Sequence, residues 1–280
     1  MRLDKKKKIK VSTVFQFLIL LLIGLTFLYP IYYLLTNSLK TNNQFYKDPA
    51  GLPEFPLQWK NFMVMFKNFK IMNYVKNTLI IVLGSLLMYM PLAVCTSFTF
   101  AKYKFRGSNL IYFLMIAGMT MPGQVTAIPI YVGLAKAQLV DTYFGMMLCF
   151  LGMTFGATVM MTSFFRGVPT EVLESARMDG CGYFRNLWYM ILPMAKPIIA
   201  IQTIIGVNGM WNSLFMPQIM LRKDSVKMIM PAIADLVSTY EGSPVHMMAG
   251  MLLAIVPTLA VYMIFKKQIV NGITAGAVKG

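Results

Sequence analysis

The sequence has little acidic charge, with 10 Asp and Glu against 26 Lys and Arg in 280 residues. Its long apolar stretches contain no Asp, Glu, Lys or Arg in their interiors. A charge at the centre of a membrane helix costs roughly 2.5–3.5 kcal/mol, so it is retained where it has a function. Ion-driven carriers commonly couple through buried carboxylates. The lack of such carboxylates therefore disfavours a secondary carrier that transports a solute by itself, and this class is kept only as an alternative.

Motifs for catalysis and metal binding are also missing. The sequence has no G-x-x-x-x-G-K phosphate-binding loop, so we expect no ATP hydrolysis by this chain and no enzyme activity. The three cysteines (Cys95, Cys149 and Cys181) and the single histidine (His246) lack metal-ligand spacing. The basic residues form short clusters beside apolar stretches, which favours contact with membrane lipid over nucleic-acid binding.

Six long apolar stretches dominate what is present, and mean hydropathy is +0.62. A bilayer core needs roughly 20 apolar residues in a helix. We therefore predict an all-α polytopic membrane protein with six transmembrane helices, at about 12–36, 77–100, 109–134, 142–165, 194–216 and 246–265.

The distribution of basic residues predicts the orientation of the chain. The run RLDKKKKIK lies beside the first stretch, and short Lys- and Arg-rich segments stay in the cytoplasm. With an even number of spans, both termini are predicted to be cytoplasmic. The expected organisation is a basic N-terminus (1–11), a membrane domain (12–270) and a C-terminal tail (271–280) of a multi-pass cell-membrane protein.

The third stretch contains uncharged polar residues between two prolines, in MTMPGQVTAIPIY. Pro122 and Pro129 each free a backbone carbonyl, and a broken membrane helix is tolerated when it is buried or lines a watery cavity. One interpretation is a path for a neutral polar solute, with Gln124 and Tyr131 on it. The other is a kink that serves helix packing.

The fifth stretch ends in NGMWNSLFMP. Its polar and aromatic residues follow i, i+3, i+4, i+7 spacing, which predicts a shared helix face of amides and rings suited to a sugar: Asn208, Trp211, Asn212 and Phe215. The alternative is an aromatic belt at the membrane interface.

The long loop 37–76 includes WKNFMVMFKNFK. Its aromatic residues recur at helical spacing, which predicts a helix lying in the membrane interface.

The segment EVLESARMDGCGYFRNLWYMILP (171–193) predicts two short amphipathic helices. Thr170 caps the first, the glycines at 180 and 182 end it, and Pro193 ends the second. The second has Phe184, Leu187, Trp188 and Ile191 on one face. The segment is either a docking element for a partner or a hairpin on the bilayer surface.

This segment resembles the EAA loop of membrane subunits of binding-protein-dependent ABC importers. The family pattern is Glu-Ala-Ala, three residues, Gly, nine residues, Ile, one residue, Leu-Pro. The chain keeps both gaps, with Ser175 in place of an alanine and Met190 in place of the isoleucine. The resemblance implies that an ATPase is coupled through the matching residues and the adjacent acid: Glu174, Ser175, Ala176, Asp179, Gly180, Leu192 and Pro193.

MPGQVTAIPIY, WNSLFMP and NGITAGAVKG extend the resemblance to the carbohydrate branch, nearest the maltose-type second permease subunit. It implies a type I importer permease fold and a sugar substrate, with a permease for another small polar solute, such as a glycerol phosphate, as the alternative. It also implies a homologous second permease, two cytoplasmic ABC ATPases that bind ATP and Mg, and an extracytoplasmic sugar-binding protein. No cofactor is expected on this chain itself. Its tail would contact the ATPases through Gly272, Gly276, Lys279 and Gly280.

Overall fold

The computed structural model describes residues 11–178, 180–239 and 243–277, and no strand occurs among them. They form fourteen α-helices and one π turn. In chain order these are α1 Val11–Ser38, α2 Asn42–Lys47, α3 Lys60–Lys67, α4 Ile71–Lys102, α5 Ser108–Thr120, α6 Gly123–Lys136, α7 Tyr143–Phe150, α8 Met153–Arg166, α9 Thr170–Met178, α10 Tyr183–Asn186, the π turn Leu187–Ile191, α11 Leu192–Trp211, α12 Phe215–Met220, α13 Ile229–Thr239 and α14 Pro244–Ala277.

Within the described residues, four helical stretches are long and apolar enough to cross a membrane: Val14–Ser38, Ile71–Lys102, Tyr143–Arg166 and Tyr183–Trp211. The pair α5 and α6 would make a fifth, although it bends by 101°. The sixth predicted span falls in α14, where the apolar stretch Pro244–Ala260 is shorter than the others. The all-helical class is thus confirmed, and the number of six spans stays a prediction.

The chain divides into two compact units, of which the first ends at Phe69 and also includes Leu236–Leu253. In this unit the apolar side chains of α1 from Val14 onward are exposed nearly all round. The following loop is closed by Lys40, whose buried ammonium donates to the carbonyl oxygens of Asp48 (2.8 Å) and Pro49 (3.4 Å). Burial lowers the pKa of Lys40, and the carboxylate of Asp48 partly opposes that shift.

The predicted helix in loop 37–76 is present as α3. Of its aromatic residues, Phe66 in α3 and Trp59 just before it are exposed and Phe62 is half-buried, whereas Asn61 and Met65 are buried. The amide of Asn61 donates to the carbonyl oxygens of Ser38 (2.8 Å) and Lys40 (2.9 Å), which explains its burial. A partly exposed aromatic face fits the interfacial location, which stays a prediction.

The second unit comprises Lys70–Asp235 and the part of the chain from Ala254. Its core lies between α4 and α8, where Phe98 and Phe165 are fully buried. The hydroxyl oxygens of Thr96 and Thr158 lie 2.8 Å apart across this interface. Small hydroxyl side chains join membrane helices in this way because apolar lipid supplies no hydrophobic drive for helix association.

Candidate functional site: a coupling segment and a cavity between broken helices

The first part of the candidate coupling segment is α9, as predicted. Leu173 and Ala176 are buried and form its apolar side, whereas Glu174 and Ser175 are exposed. Before this helix, the ammonium of Lys102 on α4 donates to the carbonyl oxygen of Val168. The acidic side of α9 therefore remains accessible while its apolar side is held against the membrane helices of the same unit.

Gly180 forms the predicted turn after α9, with φ +77°. The amide of Cys181 donates to the carbonyl oxygen of Ala176 at 2.9 Å, which closes the helix end. Glycine adopts this left-handed conformation without strain, so the predicted turn at Gly180 is present. Gly182, which was predicted to end the helix in the same way, instead has φ −74°. Asp179 lies outside the described residues.

The prediction that Pro193 ends the second helix is wrong. The chain continues through the π turn into α11, so Tyr183–Trp211 is one helical stretch. The amide of Leu192 reaches back to the carbonyl oxygen of Leu187, five residues earlier. This wider turn accommodates Pro193, which has no N–H and whose ring would clash with the carbonyl four residues before it in an α-helix.

The π turn also divides the predicted apolar face of this helix. Leu187 and Ile191 are buried, but Phe184 is 75% and Trp188 is 68% exposed. With the exposed Tyr189, these rings leave an uncovered aromatic surface on the described part of the segment. A surface of this kind beside an acidic helix face is suited to docking another protein.

Tyr183 joins the coupling segment to α4. Its hydroxyl lies 3.0 Å from the hydroxyl of Thr99 and donates to the carbonyl oxygen of Cys95 at 3.1 Å. Its ring centroid is 5.3 Å from that of Phe98 and 5.4 Å from that of Tyr103. Local sequence patterns do not indicate this contact, because the partners are 80 or more positions apart.

A second feature of this unit is a cavity of about 560 Å³. It is lined by residues of α4, of α5 and α6, of α7 and α8, and of α11, including Tyr89, Thr126, Gly156 and Gln202. The described lining residues include no Asp, Glu, Lys or Arg. The break at Met121–Pro122 agrees with the predicted interruption of the third stretch, although Pro122 precedes α6 and only Pro129 lies within it.

The predicted path residues on α6, Gln124 and Tyr131, are close in sequence to residues that line this cavity. Gln124 is exposed, and Thr126 two positions later lines the cavity. Tyr131 is half-buried, with the guanidinium of Arg222 5.6 Å from its ring centroid. Neither Gln124 nor Tyr131 is among the described residues that line this cavity.

The prediction of a single helix face from Asn208 to Phe215 is wrong, because α11 ends at Trp211 and Phe215 begins α12. The amide of Asn212 folds back to the side-chain oxygen of Asn208 (2.8 Å) and stops the helix. Both amides are exposed, whereas Trp211 is only 2% exposed. Asn208 and Trp211 instead line a separate, mainly apolar cavity of about 380 Å³ with residues of α14 such as Tyr262.

The predicted C-terminal tail is helical as far as it is described. Gly272 and Gly276 lie in α14, which continues to Ala277. Lys279 and Gly280 lie outside the described residues.

Residues 90–274 match the family of binding-protein-dependent transport system inner membrane components. The chain is 28% identical over 265 residues to the diacetylchitobiose uptake system permease protein NgcG of Streptomyces coelicolor, covering 92% of this chain and 86% of that protein. It is 27% identical over 270 residues to the arabinooligosaccharides transport system permease protein AraQ of Bacillus subtilis, covering 94% of each.

A solved structure, of a bacterial ABC transporter involved in the import of the acidic polysaccharide alginate, has the same fold. The TM-score is 0.72 at 22% identity, covering 94% of this chain and 99% of that chain. These likenesses define a membrane-embedded, non-catalytic component of a transport system. The chain belongs to the family of binding-protein-dependent transport system inner membrane components, as a permease subunit of an ABC importer.

The described residues contain no cluster of three His, Cys, Asp or Glu side chains that could hold a metal ion.

Proposed function

We propose that this chain forms half of the pore of an ATP-driven importer of di- or oligosaccharides. In this proposal it has six spans with both termini in the cytoplasm. A homologous second permease completes the pore, two cytoplasmic ABC ATPases bind ATP and Mg, and an extracytoplasmic sugar-binding protein delivers the solute. The relatives named for diacetylchitobiose and arabinooligosaccharides support the sugar class.

The observation that carries the proposal is the geometry of residues 170–193. A helix with an exposed carboxylate at Glu174 ends in the left-handed turn at Gly180, and an exposed aromatic surface follows. The carboxylate would pair with a basic group in a cleft of the ATPase, and the rings would fill apolar pockets there. Because α10, the π turn and α11 are continuous, movement of the docked segment would pass directly into a membrane helix.

The uncharged lining of the larger cavity favours a neutral solute over a phosphorylated one. A glycerol phosphate would need Lys or Arg to offset its charge, and the described lining provides neither. Gln124, Tyr131, Asn208, Trp211, Asn212 and Phe215 stay expected contacts of the solute path. The C-terminal residues from Gly272 stay an expected contact of the ATPases.

The test is reconstitution into proteoliposomes with and without partners. The complete importer should take up a labelled oligosaccharide when ATP and the loaded binding protein are both present. This chain alone should hydrolyse no ATP and show no nucleotide-dependent uptake. ATP hydrolysis or nucleotide-dependent uptake by the isolated chain would contradict the proposal. Import of glycerol phosphate in preference to sugars would also contradict it.

A further inference from the structure

An interruption of a membrane helix borders the 560 Å³ cavity. It is the 101° bend between α5 and α6, whereas α7 and α8 meet at Leu151–Gly152 within the single helical stretch Tyr143–Arg166. Irregular backbone at membrane depth is tolerated only where it is buried in protein or lines a water-filled space. In transporters, such broken helices form solute sites because they present backbone polar groups.

Glycines keep parts of the cavity wall open. A Cβ atom added at Gly123 or Gly156 would meet nothing within 4 Å, so each faces free space rather than a packed neighbour. A volume of about 560 Å³ lies within the range of roughly 300–1,000 Å³ found for small-molecule sites. The space is therefore large enough for a sugar unit.

One buried amide in the cavity wall lacks strong partners. The side chain of Gln202 on α11 is only 3% exposed, and its amide nitrogen contacts the thioether sulfur of Met160 at 3.1 Å. Thioether sulfur is a weak acceptor, so this contact satisfies the amide nitrogen of Gln202 only weakly. Burying an amide without good hydrogen bonds is costly, so a ligand that supplies them would bind favourably.

The chemistry of the wall selects the kind of ligand. Gln202 provides an acceptor and a donor, and the hydroxyl of Thr126 lies in the same lining. Phe155 adds a ring, and the described lining carries no charged side chain. Amides and hydroxyls pair with sugar hydroxyls, whereas rings and methionines contact sugar C–H faces.

We propose that this cavity is a solute subsite within this chain, at which Gln202 hydrogen-bonds the hydroxyls of a sugar unit during transport. The proposal rests on the proposed function and adds to it. It assigns solute contact to this subunit and to a residue outside the set expected from the sequence.

Cys149 lines the cavity and provides a direct readout. In the complete importer lacking the thiols of Cys95 and Cys181, a small charged thiol reagent should modify Cys149 in at least one step of the ATP cycle. Diacetylchitobiose, arabinotriose and maltotriose serve as probes of protection, and glycerol 3-phosphate as the charged comparison. At least one sugar should protect Cys149, and glycerol 3-phosphate should not.

The variant Gln202→Met keeps the length of the side chain but removes its hydrogen bonds. It should raise the half-protecting sugar concentration on the order of tenfold, the effect of losing hydrogen bonds to a neutral ligand. The matched control Gln218→Met changes an exposed glutamine of α12 outside the cavity lining and should leave that concentration unchanged.

A second variant pair does not depend on Gln202. Gly156→Leu places a side chain in the cavity without a clash at Cβ, so it should abolish both labelling of Cys149 and sugar uptake. Gly133→Leu makes the same change on α6 away from the cavity, with an equally open Cβ position, and should preserve both.

The outcomes separate the two proposals. If the wild type takes up sugar but no sugar protects Cys149, the subsite is overturned and the proposed function stands. The same holds if Gln202→Met and Gln218→Met have equal half-protecting sugar concentrations. Cys149 unmodified throughout the cycle of a transporting importer would also overturn the subsite and leave the proposed function standing. Import of none of the three sugars, with glycerol 3-phosphate imported, would overturn the proposed function itself.

Discussion

Tyr183 is positioned to pass force from the coupling segment into α4. Its hydroxyl contacts the hydroxyl of Thr99 at 3.0 Å and donates to the carbonyl oxygen of Cys95 at 3.1 Å. The substitution Tyr183→Phe removes these contacts and retains the ring packing on Phe98. Thr99 keeps its own hydrogen bond to the Cys95 carbonyl (2.8 Å), so no buried donor is left without a partner.

The expected loss follows from one half-buried hydrogen-bonding group, about 1 kcal/mol. A loss of this size would change the equilibrium constant for attachment of the coupling segment to α4 by about fivefold. We therefore expect normal assembly with the ATPases but a lower ratio of solute imported to ATP hydrolysed, with about fivefold as the upper limit of the decrease.

That ratio is measured in proteoliposomes, with paired assays of labelled sugar and released phosphate. Tyr46→Phe is the control, because Tyr46 is 64% exposed and lies on α2 in the other unit. A ratio in Tyr183→Phe equal to that of wild type and control would refute the role of Tyr183.

Three further predictions concern other parts of the chain. Glu174→Lys should weaken co-purification with the ATPases while membrane insertion is unaffected, because the new charge would face an expected basic surface; normal coupling would remove Glu174 from the contact. Lys40→Met should destabilise the loop before α3 by about 1.5–3 kcal/mol, since hydrogen bonds from a charged group to the Asp48 and Pro49 carbonyls are lost. Proteolysis of this loop should therefore be faster than in the control Lys47→Met, and equal rates would contradict this. Single cysteines introduced at Asn208 and Asn212 should be labelled by a charged thiol reagent to an extent that depends on ATP. Protection of both positions under all conditions would indicate that they lie in a packed helix interface.

The turn at Gly180 was predictable because it depends on local chemistry, a glycine after an acidic amphipathic helix. The end of the second coupling helix was not, because Pro193 breaks an α-helix but is accommodated by the π turn before it. The face from Asn208 to Phe215 failed for a similar reason, since the side chain of Asn212 ends the helix that the spacing assumed.

Gln202 carried a signal that sequence reasoning overlooked. It is an amide in the middle of the apolar run IIAIQTIIG. Its environment could not be derived from that run, because the cavity wall is assembled from segments between Tyr89 and Gly206. Distant segments meet through packing, which local periodicity does not encode.

In the proposed function an ATPase drives this pore through residues 170–193, and substitution of Gly180 tests this coupling most directly. Proline at this position cannot adopt φ +77°, whereas Gly182, two residues away, has φ −74° and open space at its Cβ position. The measurement is the ratio of sugar imported to ATP hydrolysed by the complete importer carrying Gly180→Pro or Gly182→Ala. We predict that Gly180→Pro abolishes uptake while ATP hydrolysis continues, and that Gly182→Ala keeps the wild-type ratio. A wild-type ratio in Gly180→Pro would contradict coupling of the ATPase to the pore through residues 170–193.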